Sequence, residues 1–388
     1  MLAASEMRDA LPPLTQPFVA HASAAALADL AARLAQTRWP TALPGTGWNY
    51  GTNLSFLQEL VTYWTQEFDW RKVEAASNAY PNFTTDLDGH RIHFLHVKGK
   101  GAQTIPLLLT HGWPGSFLEM LPLIPLLTAA GPVSFDVVVP SLPGFGYSAP
   151  FVAPGGSSFV VADLWHQLMG RLGYPRYGAQ GGDVGAGVST WLALKYPASV
   201  IGLHLNYIPG SYKPYLKPGE VLSPEVLAFQ KTAADWVARE GAYGAMHSTK
   251  PLTAAYGLND SPAGLCAWIV EKFHGWSDQG PDGRWAFTKQ ELLANVTLYW
   301  LTQSIYSSMA IYQENGRRPL AFGPDDYVRV PVAFAQFPKE LPTPPRAYVE
   351  KGFNIQRWTS MPAGGHFAAL EQPALLADDL KAFFATII

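Results

Sequence analysis

Asp183 lies in the segment Gly181-Gly182-Asp183-Val184-Gly185, between a short apolar run and a helix-like stretch. Glycines two before and two after a central residue mark a strand-to-helix turn too tight for side chains on its flanks. Such a turn normally presents a serine; here it presents a carboxylate. The competing use of an aspartate at this place is as the N-cap of the following helix, and the flanking glycines weigh against it. A carboxylate nucleophile attacks an sp³ carbon that carries a strained or good leaving group, and an alkyl ester results. Epoxides and alkyl halides suit this chemistry; amides do not. The ester must then be hydrolysed, which requires a base.

His366, the last of ten histidines, is the candidate base, in Gly364-Gly365-His366-Phe367. An unperturbed pKa of about 6.5 lets it accept a proton near neutrality. The orienting acid belongs on the loop after the penultimate strand, where Glu340 falls in Pro338-Lys339-Glu340. Asp325 and Asp326 compete, but they precede that strand and lie at its wrong end. Nucleophile, acid, histidine is the chain order of the α/β hydrolases. His111-Gly112-Trp113-Pro114-Gly115 follows an earlier strand, where these folds place an oxyanion loop. The backbone N–H groups of Trp113 and Val184 are the expected oxyanion donors. Trp113–Pro114 is the natural candidate for a cis bond, and His111 reads as a structural hydrogen-bonding residue.

These groups need a scaffold. The runs Ile92–Val97, Ile105–Leu109, Phe135–Val139, Arg176–Gln180, Ile201–Tyr207, Val330–Gln336 and Asn354–Ser360 read as strands. Helical periodicity covers Phe117–Leu127, Phe159–Leu172, Gly187–Tyr196 and Pro373–Ile387. Near-continuous apolar strands between helices indicate a mostly parallel sheet covered on both faces. The expected architecture is an α/β-hydrolase fold with a central sheet flanked by helices. Residues 1–88 form an N-terminal helical meander, with helical patterning from about Phe18 to Asp86. Residues 89–211 are the first part of the core, 212–325 an inserted helical cap rich in Trp and Tyr, and 326–388 the second part.

Composition agrees with an enzyme built around an apolar pocket: 48% of the 388 residues are apolar and only 15% charged. A net charge of −3, with no basic run, argues against nucleic acid and anionic membranes as partners. The single cysteine, Cys266, permits no internal disulfide and reads as a small buried residue. No apolar run approaches the roughly 20 residues that span a bilayer. Met1 to Leu14 carries Glu6, Arg8 and Asp9 and lacks a signal-like apolar region. The expectation is a cytoplasmic protein without metal or organic cofactor, and a homodimer is left open.

Three motifs together resemble the microsomal-type epoxide hydrolases: His111-Gly112-Trp113-Pro114-Gly115-Ser116-Phe117, Gln180-Gly181-Gly182-Asp183, and Gly364-Gly365-His366-Phe367-Ala368-Ala369. Arg38-Trp39-Pro40, Trp48-Asn49-Tyr50-Gly51 and Phe68-Asp69-Trp70-Arg71 are similar to that family's N-terminal meander. The resemblance implies an Asp183–His366–Glu340 triad, a small-molecule epoxide as substrate, and two cap tyrosines that donate to the epoxide oxygen. By motif these are Tyr243 and Tyr312, with Tyr306 a close competitor of the second. Two departures stand out. Family members often carry Trp after the nucleophile, whereas this chain has Val184 and so a wider expected pocket; a membrane anchor like that of some relatives is not expected. Haloalkane dehalogenase chemistry, with the same Asp and His but indole or amide donors for halide, remains the nearest alternative. A catalytically silent ligand-binding hydrolase fold is the other.

Overall fold

The computed structural model describes residues 15–280, 283 and 285–387. Met1 to Leu14, read above for a leader, lies outside them. The described residues open with β1 (Thr15–Pro17), α1 (Ala24–Ala35), α2 (Leu54–Gln66), α3 (Trp70–Asn78) and β2 (Asn82–Leu87). Ser23, Asn53 and Asp69 start the three helices by accepting a first-turn amide on their side chains. The expectation of a purely helical meander through Asp86 is therefore wrong at its C-terminal end. β2 runs antiparallel to β3 (His90–Val97) across a turn in which Asp88 and Gly89 both have positive φ. That pair is a strong hairpin signal, and the helical reading passed over it.

The core continues with β4 (Thr104–Thr110), α4 (Ile124–Thr128), β5 (Ser134–Pro140), α5 (Ser158–Arg171), β6 (Tyr177–Gly181), α6 (Asp183–Lys195) and β7 (Val200–Leu205). One helix expected over Phe117–Leu127 is instead a 3₁₀ turn, Phe117–Met120, followed by α4. Pro122 lacks an amide proton, and Pro125 suits only the first turn of a new helix. Six helices follow: α7 (Pro224–Glu240), α8 (Ala242–Thr249), α9 (Pro251–Leu258), α10 (Pro262–Trp276), α11 (Lys289–Thr302) and α12 (Ile305–Arg317). Then come β8 (Val328–Gln336), α13 (Arg346–Val349), β9 (Phe353–Ser360), α14 (Ala368–Glu371) and α15 (Pro373–Phe384).

Among the described residues the sheet has nine strands in the order β1-β2-β3-β5-β4-β6-β7-β8-β9. From β5 to β9 every pairing is parallel; β1, β2 and β3 join antiparallel at one edge. Side chains alternate across it. Leu108, Val138 and Ala179 face one apolar core with α5 and α6, while Leu107, Leu109, Val137 and Val139 face another with α15. This is an α/β-hydrolase fold, and its parallel strands deliver their carboxyl ends to one edge, where such folds bind ligands. Cys266 is fully buried in α10, as a small core residue.

Candidate active site

Five of those carboxyl ends carry the candidate residues: β4 leads to His111–Gly115, β6 to Asp183, β7 to Asn206 and Tyr207, β8 to Glu340, and β9 to His366. Asp183 holds a left-handed backbone, φ 47°, a conformation that costs most side chains on the order of 1 kcal/mol and that Asp tolerates better than most. The turn is as tight as the glycines suggested. A Cβ on Gly181 would stand 2.2 Å from the Gly185 carbonyl oxygen, and one on Gly185 would stand 2.0 Å from that of Thr110. Gly112 is bare for the same reason, since its Cβ would lie 2.2 Å from Asp183 Oδ1.

The Asp183 carboxylate does not cap its helix; no side chain caps the start of α6. Trp113 N–H donates to Oδ1 at 2.7 Å, and His366 Nε2 lies 3.2 Å from Oδ2. The Val184 N–H makes no hydrogen bond to the carboxylate in this state. On its other side His366 Nδ1 meets Glu340 Oε1 at 2.6 Å. A backbone bond from Lys339 N–H to the Gly364 carbonyl, 3.1 Å, ties the loop after β8 to the loop after β9 and fixes that pair. Asp325 and Asp326 are exposed before β8, far along the chain from this contact. His366 N–H donates to the Trp276 carbonyl at 2.9 Å, so α10 anchors the loop from above. Burial opposes charge on His366, but Glu340 and Asp183 outweigh it and hold the imidazole well above its ordinary pKa. The site's histidine is thus not the unperturbed base that sequence suggested.

A cavity of about 290 Å³ opens in front of Asp183, lined in part by Val184, Tyr207, Tyr243 and Tyr312. Tyr243 on α8 stacks on Trp113 at 5.3 Å, and Tyr312 on α12 meets the same indole edge-on at 6.0 Å. Burial first, and then the charge of Asp183 among other causes, pushes the Tyr243 phenol far above its usual range; burial does the same for Tyr312. Both stay protonated and able to donate at neutral pH. Tyr306 is 43% exposed and does not line this cavity. His111 accepts from Leu142 N–H at 3.1 Å, and burial lowers its pKa to about 4, so it is a neutral structural acceptor. Trp113–Pro114 is cis.

Residues 15–120 match the family described as epoxide hydrolase N terminus, and residues 105–242 match the alpha/beta hydrolase fold. The chain is 43% identical to a Stigmatella aurantiaca protein provisionally assigned as an epoxide hydrolase, covering 95% of this chain and 84% of that one. It is 37% identical to epoxide hydrolase 1 of Oryctolagus cuniculus, covering 96% of this chain and 89% of the relative. The chain belongs to the epoxide hydrolase family. The juvenile hormone epoxide hydrolase of the silkworm Bombyx mori superposes with a TM-score of 0.86 at 32% identity, over 97% of this chain and 95% of that one. The Aspergillus niger epoxide hydrolase superposes with a TM-score of 0.85 at 30% identity, over 98% of both chains.

This epoxide hydrolase family member has site residues that its sequence did not single out. Tyr207 had been read as the last residue of a strand; β7 ends at Leu205, and Tyr207 turns into the cavity and stands edge-on to His366 at 5.5 Å. Position just beyond a parallel strand was the available signal. Gln180, Asn206 and Glu119 line a small chamber behind Asp183, with Gln180 Nε2 donating to Asn206 Oδ1 at 2.8 Å. Among the described residues no three His, Cys, Asp or Glu side chains gather as a metal site, and no helix is long and apolar enough to cross a membrane.

Proposed function

We propose that the chain hydrolyses epoxides to vicinal diols in two steps through an ester on Asp183. The observation that carries this reading is one carboxylate set between an imidazole and a cavity walled by buried phenols. In the first step an Asp183 oxygen attacks an epoxide carbon, the ring C–O bond breaks, and the alkoxide takes a proton from Tyr243 or Tyr312. Phenols suit this task because they stay neutral until the strongly basic alkoxide forms. In the second step His366 takes a proton from water, whose oxygen attacks the ester carbonyl carbon. The oxyanion forms near the N–H groups of Trp113 and Val184. Collapse breaks the acyl C–O bond, and the departing diol oxygen takes the proton back from His366. The new Asp183 carboxylic acid returns its own proton to the tyrosinate.

The raised pKa of His366 fits this order. The resting imidazole lies between two carboxylates, and alkylation of Asp183 removes one of them. Its proton affinity then falls at the step where it must act as a base. On this reading residues 212–325 are the cap that brings the phenols over the nucleophile, 1–88 are the meander that supports it, and 89–211 and 326–388 form the core. The dehalogenase alternative calls for indole or amide donors; Trp191 and Asn315 do line the same cavity, but the rings packed on Trp113 beside Asp183 are the phenols Tyr243 and Tyr312.

Single turnover of styrene oxide in heavy-oxygen water is the test. Label appears in the Asp183 peptide if an ester forms and is hydrolysed at its carbonyl; label only in the diol excludes the covalent route. His366→Gln should accumulate the ester. Halide release from a haloalkane, with no diol from styrene oxide, would favour the alternative.

A further inference from the structure

The two steps above leave unused a second carboxyl group in the chamber behind Asp183. Glu119 sits on the 3₁₀ turn Phe117–Met120, and its side chain reaches back to the loop that contacts Asp183. Its carboxyl lies against Gly115, where a Cβ would stand 2.4 Å from Glu119 Oε2. Two glycines of one loop thus each make room for a carboxyl group, Gly112 for Asp183 and Gly115 for Glu119. Behind the nucleophile is a chamber of about 20 Å³ lined by Asp183, His366, Glu119 and Asn206, room for one water molecule. On its far side Glu119 also lines a cavity of about 230 Å³ with Lys72, Glu291 and Asn295.

We propose that Glu119 positions the hydrolytic water beside His366 and stands at its entry from the outer cavity. The inference rests on the two-step reading above. Water attacking an ester on Asp183 must present one proton to His366 and be held on another side by a second polar group. Glu119 shares the chamber with both, and among the described residues no lysine or arginine pairs with it. Asp183 and His366 face it from the chamber, Tyr299 from α11, and Lys72 and Glu291 across the outer cavity. Burial raises its pKa to about 8, against the opposing influence of His366. A neutral carboxyl group both donates and accepts hydrogen bonds, as a bound water requires. Once ionised, its negative charge replaces the one that alkylation removed, and His366 is pushed back toward its protonated form.

Stopped-flow tryptophan fluorescence with styrene oxide separates alkylation from ester hydrolysis. Glu119→Leu should alkylate within about 3-fold of the parent enzyme and hydrolyse the ester at least ~10-fold more slowly. Glu119→Gln, which keeps a donor and an acceptor, should restore hydrolysis to within about 5-fold at pH 7. It should also abolish the alkaline decline in hydrolysis expected of the parent enzyme as Glu119 ionises. Equal slowing of both steps in Glu119→Leu overturns the proposal, as does a Gln variant no better than Leu or one that keeps the alkaline limb. If the parent enzyme forms no ester and no diol, the two-step reading itself fails. An active parent with an unaffected Leu variant defeats only the role of Glu119.

Discussion

Among the described residues two aspartate–histidine pairs lie inside the fold, one fully buried and one opening on the cavity before Asp183. Asp379 on α15 lies 3.0 Å from His204 on β7, and Asp183 lies 3.2 Å from His366. The first carboxylate is saturated: besides His204 it accepts from Arg357 Nε and Thr359 Oγ1, both at 2.7 Å. Burial works against its charge, but His204, Thr359 and Arg357 prevail and hold its pKa down to about 2. Asp183 has no arginine. It has one backbone N–H, one imidazole, a strained φ and open space before it. Pairing and burial alone therefore make structure. Chemistry needs acceptor capacity left free, and a cavity that a reactant can enter.

Exchanging the charge for an amide is the sharpest way to separate the pairs. Asp183→Asn should lower epoxide turnover on the order of 10⁴-fold. Asn tolerates the left-handed backbone and keeps an oxygen for the Trp113 N–H, so the thermal midpoint should change little. Turnover against styrene oxide and a melting scan check both halves; a large fall in the midpoint would mean Asp183 is structural after all.

The front of the site gives the next effect. Tyr243→Phe with Tyr312→Phe should slow alkylation on the order of 10³-fold, and each single change less, because either phenol can donate alone. Single-turnover rates settle it, and ester hydrolysis measured separately should change far less than alkylation. Smaller still is Val184→Trp, which narrows the cavity. Relative kcat/KM for an aryl epoxide over a short alkyl epoxide should fall about 10-fold. An unchanged ratio would show that Val184 does not set the pocket width.

The legible parts of this site were those fixed by local backbone demand. Gly181, Gly185 and Gly364-Gly365 announce turns that no other residue fits, so Asp183 and His366 could be named as candidates from sequence. Glu340 followed from strand order. The phenols could not be derived that way: α8 and α12 bring Tyr243 and Tyr312 together only in three dimensions, and resemblance alone picked them from 17 tyrosines. Glu119 was hidden inside an expected helix that its prolines break. β1 and β2 were missed because three- and six-residue strands gain their meaning from distant partners rather than from their own periodicity.

Asp379 offers the remaining test, because the comparison assigns it no part in turnover. Asp379→Asn weakens the charged hydrogen bonds to Arg357, which stays partly in solvent, and should cost about 2 kcal/mol of folding stability, with kcat within about 2-fold of the parent. The pH dependence carries the sign. The folded pKa, about 2, lies below the ordinary aspartate value of 3.8. The stabilisation from the charged form is thus complete above about pH 4 and is lost as pH falls toward 2. Urea unfolding of parent and variant should therefore differ by the full amount at pH 6 and converge as the pH is lowered through this window. A gap that persists undiminished at pH 2 would mean that shape, and not charge, makes the His204–Asp379–Arg357 cluster stabilising. A fall in kcat at pH 7 would break the contrast between the two pairs.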